Sequence, residues 1–261
     1  MTKTDSDTSV FVRDGETIDE MLGGRIGIIQ KKKGYRFSLD AILLSHFVRL
    51  RKRDHVVDLG TGSGVIAIII AQRGECGRVI GIDIQEELVD MAKRSVLLNN
   101  LTEKVDIYRG DIKNIETLCA AGSFDVAIFN PPYRKLKSGR INPDKEKSIA
   151  RHEIKANVRD FLKASGYVLK KSGRAFIIYP ATRIAELLSS MKITAIEPKR
   201  MRMVHSHGAS KGEFVLVEGI KNAREELEVM PPLFVYSDNG EYTESMSCIF
   251  NELSDSVQVS S

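Results

Sequence analysis

Two short apolar stretches between Thr17 and Gln30 flank Gly23-Gly24, a pattern that predicts a small hairpin. Ser38 is placed to cap a helix from Leu39 to about Arg49, in which Ala41, Leu44, Ser45 and Val48 recur at helical spacing. From His55 the texture changes to short apolar runs alternating with amphipathic ones. His55–Leu59, Arg78–Ile84, Val105–Tyr108, Phe124–Phe129 and Arg174–Tyr179 read as strands. Val65–Gln72, Glu86 to about Asn99, Lys113–Ala121, Val158–Lys171 and Arg183–Met191 read as helices. Such alternation specifies a parallel sheet covered on both faces. Ile193–Val204 and Glu213–Gly219, joined by a polar stretch containing glycine, read instead as two adjacent antiparallel strands. The expected fold is α/β: seven strands, mostly parallel, with an antiparallel strand toward one side. Residues 1–53 form an amino-terminal extension of hairpin, basic run and helix. Residues 54–250 form the main domain, and the Ser/Asp-rich residues 251–261 are expected to be a flexible tail.

Composition narrows the class. The 261 residues are 42% hydrophobic and 28% charged, an ordinary globular balance. The longest apolar run, Val65–Ala71, is far short of the roughly 20 residues that a bilayer span needs. Met1–Ser9 is polar and acidic, without the apolar core of an export signal, so a cytoplasmic protein is expected. Cys76, Cys119 and Cys248 are isolated, and His205-Ser206-His207 lacks a third ligand, so neither a disulfide framework nor a metal site is expected. The net charge of +4 does not by itself announce a nucleic-acid binder.

Chemistry first enters at Asp58-Leu59-Gly60-Thr61-Gly62-Ser63-Gly64, where the first long-domain strand gives way to a helix. In an open α/β sheet, ligands bind beyond the carboxyl ends of the strands. Glycines there let the backbone turn sharply and approach a ligand, and the following helix offers free N–H groups. A turn that serves only helix–strand packing remains the bland alternative. The spacing is GxGxG rather than the GxGxxG of nicotinamide and flavin sites, and Asp58 precedes it. A pyrophosphate has no use for a nearby carboxylate, whereas the ammonium and sulfonium of S-adenosylmethionine (SAM) do. Asp83, ending the second strand, is placed to accept hydrogen bonds from a ribose diol, and Asp111, after the third, from an adenine amino group. Each aspartate alone reads as a cap or surface residue; three at successive strand ends argue for a ligand.

Asn130-Pro131-Pro132-Tyr133 closes the fourth strand. Two prolines fix φ, remove two donors and leave a rigid turn that presents carbonyls. The Asn130 oxygen and the Pro131 carbonyl make two acceptors for a planar NH2 group, and the Tyr133 ring can stack on the plane that carries it. The exocyclic nitrogen of adenine is a poor nucleophile because its lone pair is delocalised. Accepting both of its N–H bonds biases it toward tetrahedral geometry, after which attack on a SAM methyl group needs mainly positioning.

These residues together resemble the class I SAM-dependent methyltransferases of the amino-group type, a Rossmann-like fold. A wider stretch, from about Gly24 to Thr243, resembles the bacterial tRNA (adenine-N6)-methyltransferases that modify adenine 37 of a valine tRNA. It includes Lys33–Asp40, Ala150-Arg151-His152-Glu153, Met201–His205 and Pro231–Tyr236. The resemblance implies that Tyr35–Asp40 covers the SAM pocket, with Phe37 near the adenosine. The implied cofactor set is Phe37, Asp40, Asp58, Gly60, Thr61, Gly62, Gly64, Asp83, Ile84, Asp111, Ile112 and Asn130. The implied catalytic set is Asn130, Pro131, Pro132 and Tyr133.

Arg134, Lys135, Lys137, Arg140, Lys145, Lys147 and Arg151 surround only Asp144 and Glu146, directly after Tyr133. Of these, Arg134, Lys135, Lys137, Arg140 and Arg151 form, with Lys31, Lys32 and Lys33, the expected RNA-binding set, since phosphates must pass close to a pocket that takes an unstacked base. Arg49–Arg53 and Lys199–Arg202 add charge that reads equally as solvated surface. His152 is expected either to order the basic stretch or to start a helix. Three alternatives stay open: a release-factor glutamine methyltransferase, a non-catalytic RNA-binding protein on a SAM fold and, more distantly, a nicotinamide oxidoreductase. Release-factor enzymes usually carry a helical domain ahead of the SAM turn, where this chain has a hairpin and a basic run.

Overall fold

The computed structural model describes residues 11–32, 39–132 and 156–257. In chain order the elements are β1 (Glu16–Met21), β2 (Ile26–Lys31), α1 (Leu39–Phe47), β3 (His55–Leu59), α2 (Val65–Gln72), β4 (Arg78–Asp83), α3 (Glu86–Leu98) and β5 (Val105–Arg109). A 3-10 turn (Ile112–Thr117) leads to β6 (Phe124–Phe129), α4 (Val158–Val168), β7 (Leu169–Pro180), α5 (Ile184–Ile193), β8 (Ile196–His205) and β9 (Gly212–Lys221). Two-residue strands β10 (Glu228–Val229) and β11 (Leu233–Phe234) precede α6 (Glu244–Ser256).

The main sheet runs β10-β8-β9-β7-β6-β3-β4-β5, with β11 also on β8. Within it only β9 runs antiparallel to its neighbours, β7 and β8. The seven long strands are those expected; the two short ones extend the β8 edge. From β3 the chain winds outward through β4 and β5, then returns to place β6 on the other flank of β3. The switch of direction therefore opens a crevice between β3 and β6, at their carboxyl ends.

All eight residues of α2 are buried, which is why it is apolar all round. It lies between the sheet and α1, itself buried at seven of nine positions. The expected hairpin forms with Ile18 opposite Ile29 and packs on α3, where Ile29 N–H donates to Ser95 and Asn99 bonds both backbone groups of Gly27. Hairpin, α1 and α2 share one buried cluster, so the described residues among the first 53 have no core separate from the rest. On the other face α4 starts at Val158 because Asn157 and Asp160 form a reciprocal capping box.

Several boundaries differ from expectation, among them the start of β8 at Ile196 rather than Ile193, which closes α5. The helix expected over Lys113–Ala121 is the shorter 3-10 turn, capped by Asp111. The expected α1 stops at Phe47, two residues early. The helix expected to Lys171 ends at Val168, and β7 takes over from Leu169 across a register shift opposite Phe124 and Val126. The tail expected from residue 251 is a correction: α6 runs through Ser256, with Met246, Ile249, Leu253 and Val257 buried at helical spacing. Among the described residues no helix is long and apolar enough to cross a membrane, and no group of three His, Cys, Asp or Glu could hold a metal ion.

Candidate active site

Strand register brings the expected site residues together. Leu59 pairs with Ile82 on one side and Phe129 on the other, so the glycine turn leaves the sheet between Asp83 and Asn130. Neighbouring strands lie about 4.8 Å apart, which sets the spacing of these groups along the edge. Asp83 pairs in turn with Arg109, which places Asp111 next along the same edge.

The turn is welded to β4. Gly60 and Thr61 N–H groups both donate to the Ile82 carbonyl, at 2.8 and 3.0 Å, and Gly62 N–H donates to Asp83 Oδ2 at 3.0 Å. Gly64 takes φ +84° as the N-cap of α2. A Cβ there would stand 3.1 Å from Ala92 Cβ, whereas a Cβ on Gly62 would meet nothing within 4 Å. Gly64 is thus needed for packing on α3, and Gly62 lines open space in front of the α2 N-terminus.

Asp58 lies beneath this turn at 1% exposure rather than on its rim. Its Oδ2 accepts from the Thr61 hydroxyl at 2.7 Å, and its Oδ1 is buried without a hydrogen-bond partner. Burial pushes the carboxyl pKa up to about 7 against the pull of Thr61, and the charge of Asp83 adds to the rise. The Ala67 backbone N–H also pulls the pKa down; a buried carboxylate oxygen without a full hydrogen bond is costly, and a donor such as an ammonium would relieve that cost.

Asp83 is also raised by burial, and its two oxygens accept the backbone N–H groups of Gly62 and Gln85. Each oxygen has a second lone pair, so a diol can still be bound. Beside it Ile84 exposes 36% of its surface, an apolar shelf at the crevice. Asp111 is also a cap, accepting from Lys113 N–H at 2.9 Å. The Ile112 side chain is buried in the cluster with Ile82 and Ile115, so it supports the edge from within.

Asn130 emerges from β6, with Pro131 buried and Pro132 exposed after it. Its Nδ2 donates to Asp40 Oδ2 at 3.0 Å. Asp40, expected in the cofactor set, is 2% exposed in the first turn of α1 and holds the Asn130 amide. No sequence spacing signals this contact, because the partners are distant in the chain. Phe37, Tyr133, Lys33, Arg134, Lys135, Lys137, Arg140, Arg151 and His152 lie outside the described residues.

The remaining basic positions divide. Lys32 is exposed at the end of the hairpin, whereas Lys31 pairs with Glu87 in the first turn of α3. Arg49–Arg53 lead into the amino end of β3, the edge opposite the crevice. Arg200 is no surface charge: it is buried against Glu218 at 2.8 Å and lies 4.2 Å over the Phe47 ring. His205 ends β8, with Nδ1 2.9 Å from the Ser210 carbonyl.

Comparison with known proteins bears on this arrangement directly. A family model described as a methyltransferase domain matches residues 50–226. The chain belongs to that family. Its cofactor is SAM, and the orphaned Asp58 oxygen, the open face of Gly62 and the Asp83 carboxylate fit that molecule. Among curated methyltransferases, the chain is 31% identical over 163 residues to the tRNA1(Val) (adenine(37)-N6)-methyltransferase of Porphyromonas gingivalis. That match covers 56% of this chain and 63% of the relative, just under two thirds of its length. The protein of the same name from a Shewanella species is 24% identical over 221 residues, covering 82% of this chain and 89% of its own. Among solved structures, a predicted O-methyltransferase from Agrobacterium tumefaciens superposes with a TM-score of 0.66 at 19% identity, over 81% of this chain and 95% of that one. This last likeness is one of fold.

Proposed function

We propose that this methyltransferase transfers the SAM methyl group to N6 of an adenine in tRNA, acting in the cytoplasm. The relatives named for adenine 37 of tRNA1(Val) make that nucleotide the first substrate to test. The observation that carries the reading is the Asn130 amide, held at the end of β6 beside the glycine turn with its nitrogen on Asp40.

In this reading Asp58 receives the SAM ammonium, Asp83 the ribose diol, and Asp111 and Ile84 flank the adenine. Asn130 Oδ1 and the Pro131 carbonyl accept the two N–H bonds of the target amino group, and Tyr133 stacks on the base. The nitrogen lone pair forms the new N–C bond as the C–S bond breaks, and the sulfonium becomes a neutral thioether. The methylated nitrogen, now cationic, is strongly acidic and loses its proton to solvent. Lys32 and the basic residues between Arg134 and Arg151 contact phosphates, which makes binding fall steeply with salt.

The experiment is nucleoside mass spectrometry of tRNA from a strain lacking the gene, with the purified protein added back to that tRNA and tritiated SAM. Loss of N6-methyladenosine in the strain and its return in the tube are expected. Label entering a protein glutamine instead of tRNA overturns the reading. Asn130→Ala is expected to keep SAM affinity and lower turnover on the order of 100-fold; unchanged turnover removes the role given to Asn130.

A further inference from the structure

Three arginines from three elements close on the carboxyl end of α1. Arg73, one residue beyond α2, donates to the Ser45 and Val48 carbonyls at 2.7 and 2.9 Å. Arg200 of β8 donates to the Phe47 carbonyl at 3.0 Å, and Arg174 of β7 donates to the Arg49 carbonyl while holding buried Asp54. These guanidinium groups satisfy carbonyls that a helix end leaves without partners, and their charge opposes the negative end of the helix dipole. With seven of its nine residues buried, α1 is a strut fixed at one end by the main sheet and by α2.

The other end of the strut stands at the crevice. There Asp40 Oδ1 accepts from Ala41 N–H at 2.8 Å, which sets the carboxylate plane, and Oδ2 accepts from Asn130 Nδ2 at 3.0 Å. A primary amide can present either terminus, whereas a carboxylate only accepts. Asp40 therefore takes up the nitrogen of Asn130, and Oδ1 is the terminus turned away from it. Reversing the amide would set two acceptor oxygens against each other in a part-buried site.

We propose that Asp40 is a positioning residue, anchored through α1, that selects the Asn130 orientation in which oxygen rather than nitrogen meets the amino group of the substrate. The proposal rests on the adenine-N6 reading given above. It differs from the role implied by resemblance, in which Asp40 serves the cofactor. It also differs from simple support of the fold, because its effect must pass through one atom of Asn130.

The test uses the full chain, tritiated-methyl transfer from SAM to bulk tRNA of a strain lacking the gene, and calorimetric SAM binding. Asp40→Ala is expected to lower kcat on the order of 10- to 100-fold with SAM Kd within about threefold. Asp40→Asn, which keeps an acceptor oxygen, is expected to recover most of that loss. Asn130→Ala and the double variant Asp40→Ala/Asn130→Ala are expected to have the same kcat, since residues acting through one group are not additive. Asn130→Asp sets two carboxylates together; pairing it with Asp40→Asn restores one donor and one acceptor and is expected to regain about tenfold in kcat. This near-isosteric exchange decides the matter should Asp40→Ala not fold. A parallel loss of SAM affinity, a further fall of kcat in the Asn130→Ala background, or no gain in the exchange overturns the proposal. Label entering a protein glutamine instead of tRNA would overturn the functional reading itself, whereas a slow Asn130→Ala beside a normal Asp40→Ala overturns the positioning role alone.

Discussion

Thr61 donates its hydroxyl to Asp58 Oδ2 across the first turn after β3, and this bond holds a fully buried carboxyl whose other oxygen has no partner. In the proposed reading the pair forms the floor of the SAM pocket, and its electrostatics make the protein sensitive to pH. Burial raises Asp58 from 3.8 to about 7, with Asp83 facing it as a second negative group.

Between about pH 4 and 7 the folded protein therefore keeps a proton that the unfolded chain has released. Stability is highest below that window and declines as pH rises through 7, by an amount on the order of 4 kcal/mol for the full shift. Asp58→Asn removes the titration. Its Tm is expected to exceed that of the wild type at pH 8, and the gap to close at pH 5; scanning calorimetry at both pH values checks this. SAM brings an ammonium that favours the ionised form, so its affinity is expected to rise from pH 6 to pH 7.5 with release of a proton. Calorimetric titrations in two buffers of different ionisation enthalpy detect that proton. An affinity flat with pH would show that Asp58 does not meet the ammonium.

Gly62 and Gly64 share left-handed φ values, +59° and +84°, but differ in what a methyl group would touch. An alanine at either position costs about 1–2 kcal/mol in backbone conformation. At Gly64 the new Cβ also presses on Ala92 Cβ, so Gly64→Ala is expected to lower Tm more. At Gly62 the new Cβ enters open space at the crevice, so Gly62→Ala is expected to lose at least about tenfold in SAM affinity for its smaller fall in Tm. Thermal melts with and without SAM separate the two effects, and equal affinity losses would contradict the assignment.

The parts of the site that follow directly from chain order were legible in the sequence. Apolar runs at His55–Leu59, Arg78–Asp83 and Phe124–Phe129 identify strands, and parallel winding forces their carboxyl ends onto one edge. The Gly60–Gly64 turn, Asp83 and Asn130 could therefore be placed together without coordinates. What was hidden depends on contacts across the chain or on misleading composition. Asp40 meeting Asn130, and Arg200 reaching Glu218 instead of solvent, leave no trace in spacing. At the start of β7, Lys170, Lys171 and Ser172 are polar because the register shift leaves them exposed, and they mimic a helix end followed by a loop.

Arg200 and Glu218 show the energetic side of that concealment. Both side chains are nearly buried, and Arg200 also holds the Phe47 carbonyl. Glu218→Ala leaves a guanidinium without its counter-charge in the core and is expected to cost about 3–5 kcal/mol. Replacing the pair together, with Arg200→Met and Glu218→Leu, restores apolar packing and is expected to cost much less than the single change. Urea unfolding of the three proteins measures the difference; a surface pair would give less than about 1 kcal/mol throughout.

Leu253 tests the carboxyl-terminal helix. The Ser/Asp-rich sequence from Asn251 reads as a tail, yet Met246, Ile249 and Leu253 fall on one face of α6 and join the cluster that contains α1 and α2. Glu252, one position away, pairs with His46 near the end of α1 at 2.8 Å, so α6 buttresses the strut that carries Asp40. Removing a buried leucine side chain from a packed interface costs about 2–5 kcal/mol, whereas a change in a solvated tail stays within about 0.5 kcal/mol. Leu253→Ala is therefore expected to lower the urea midpoint clearly at an unchanged m-value, while Cys248→Ala on the exposed side of the same helix leaves it in place. A Leu253→Ala protein as stable as the wild type would mean that α6 does not dock as described, and the support it lends to α1 would have to come from the three arginines alone.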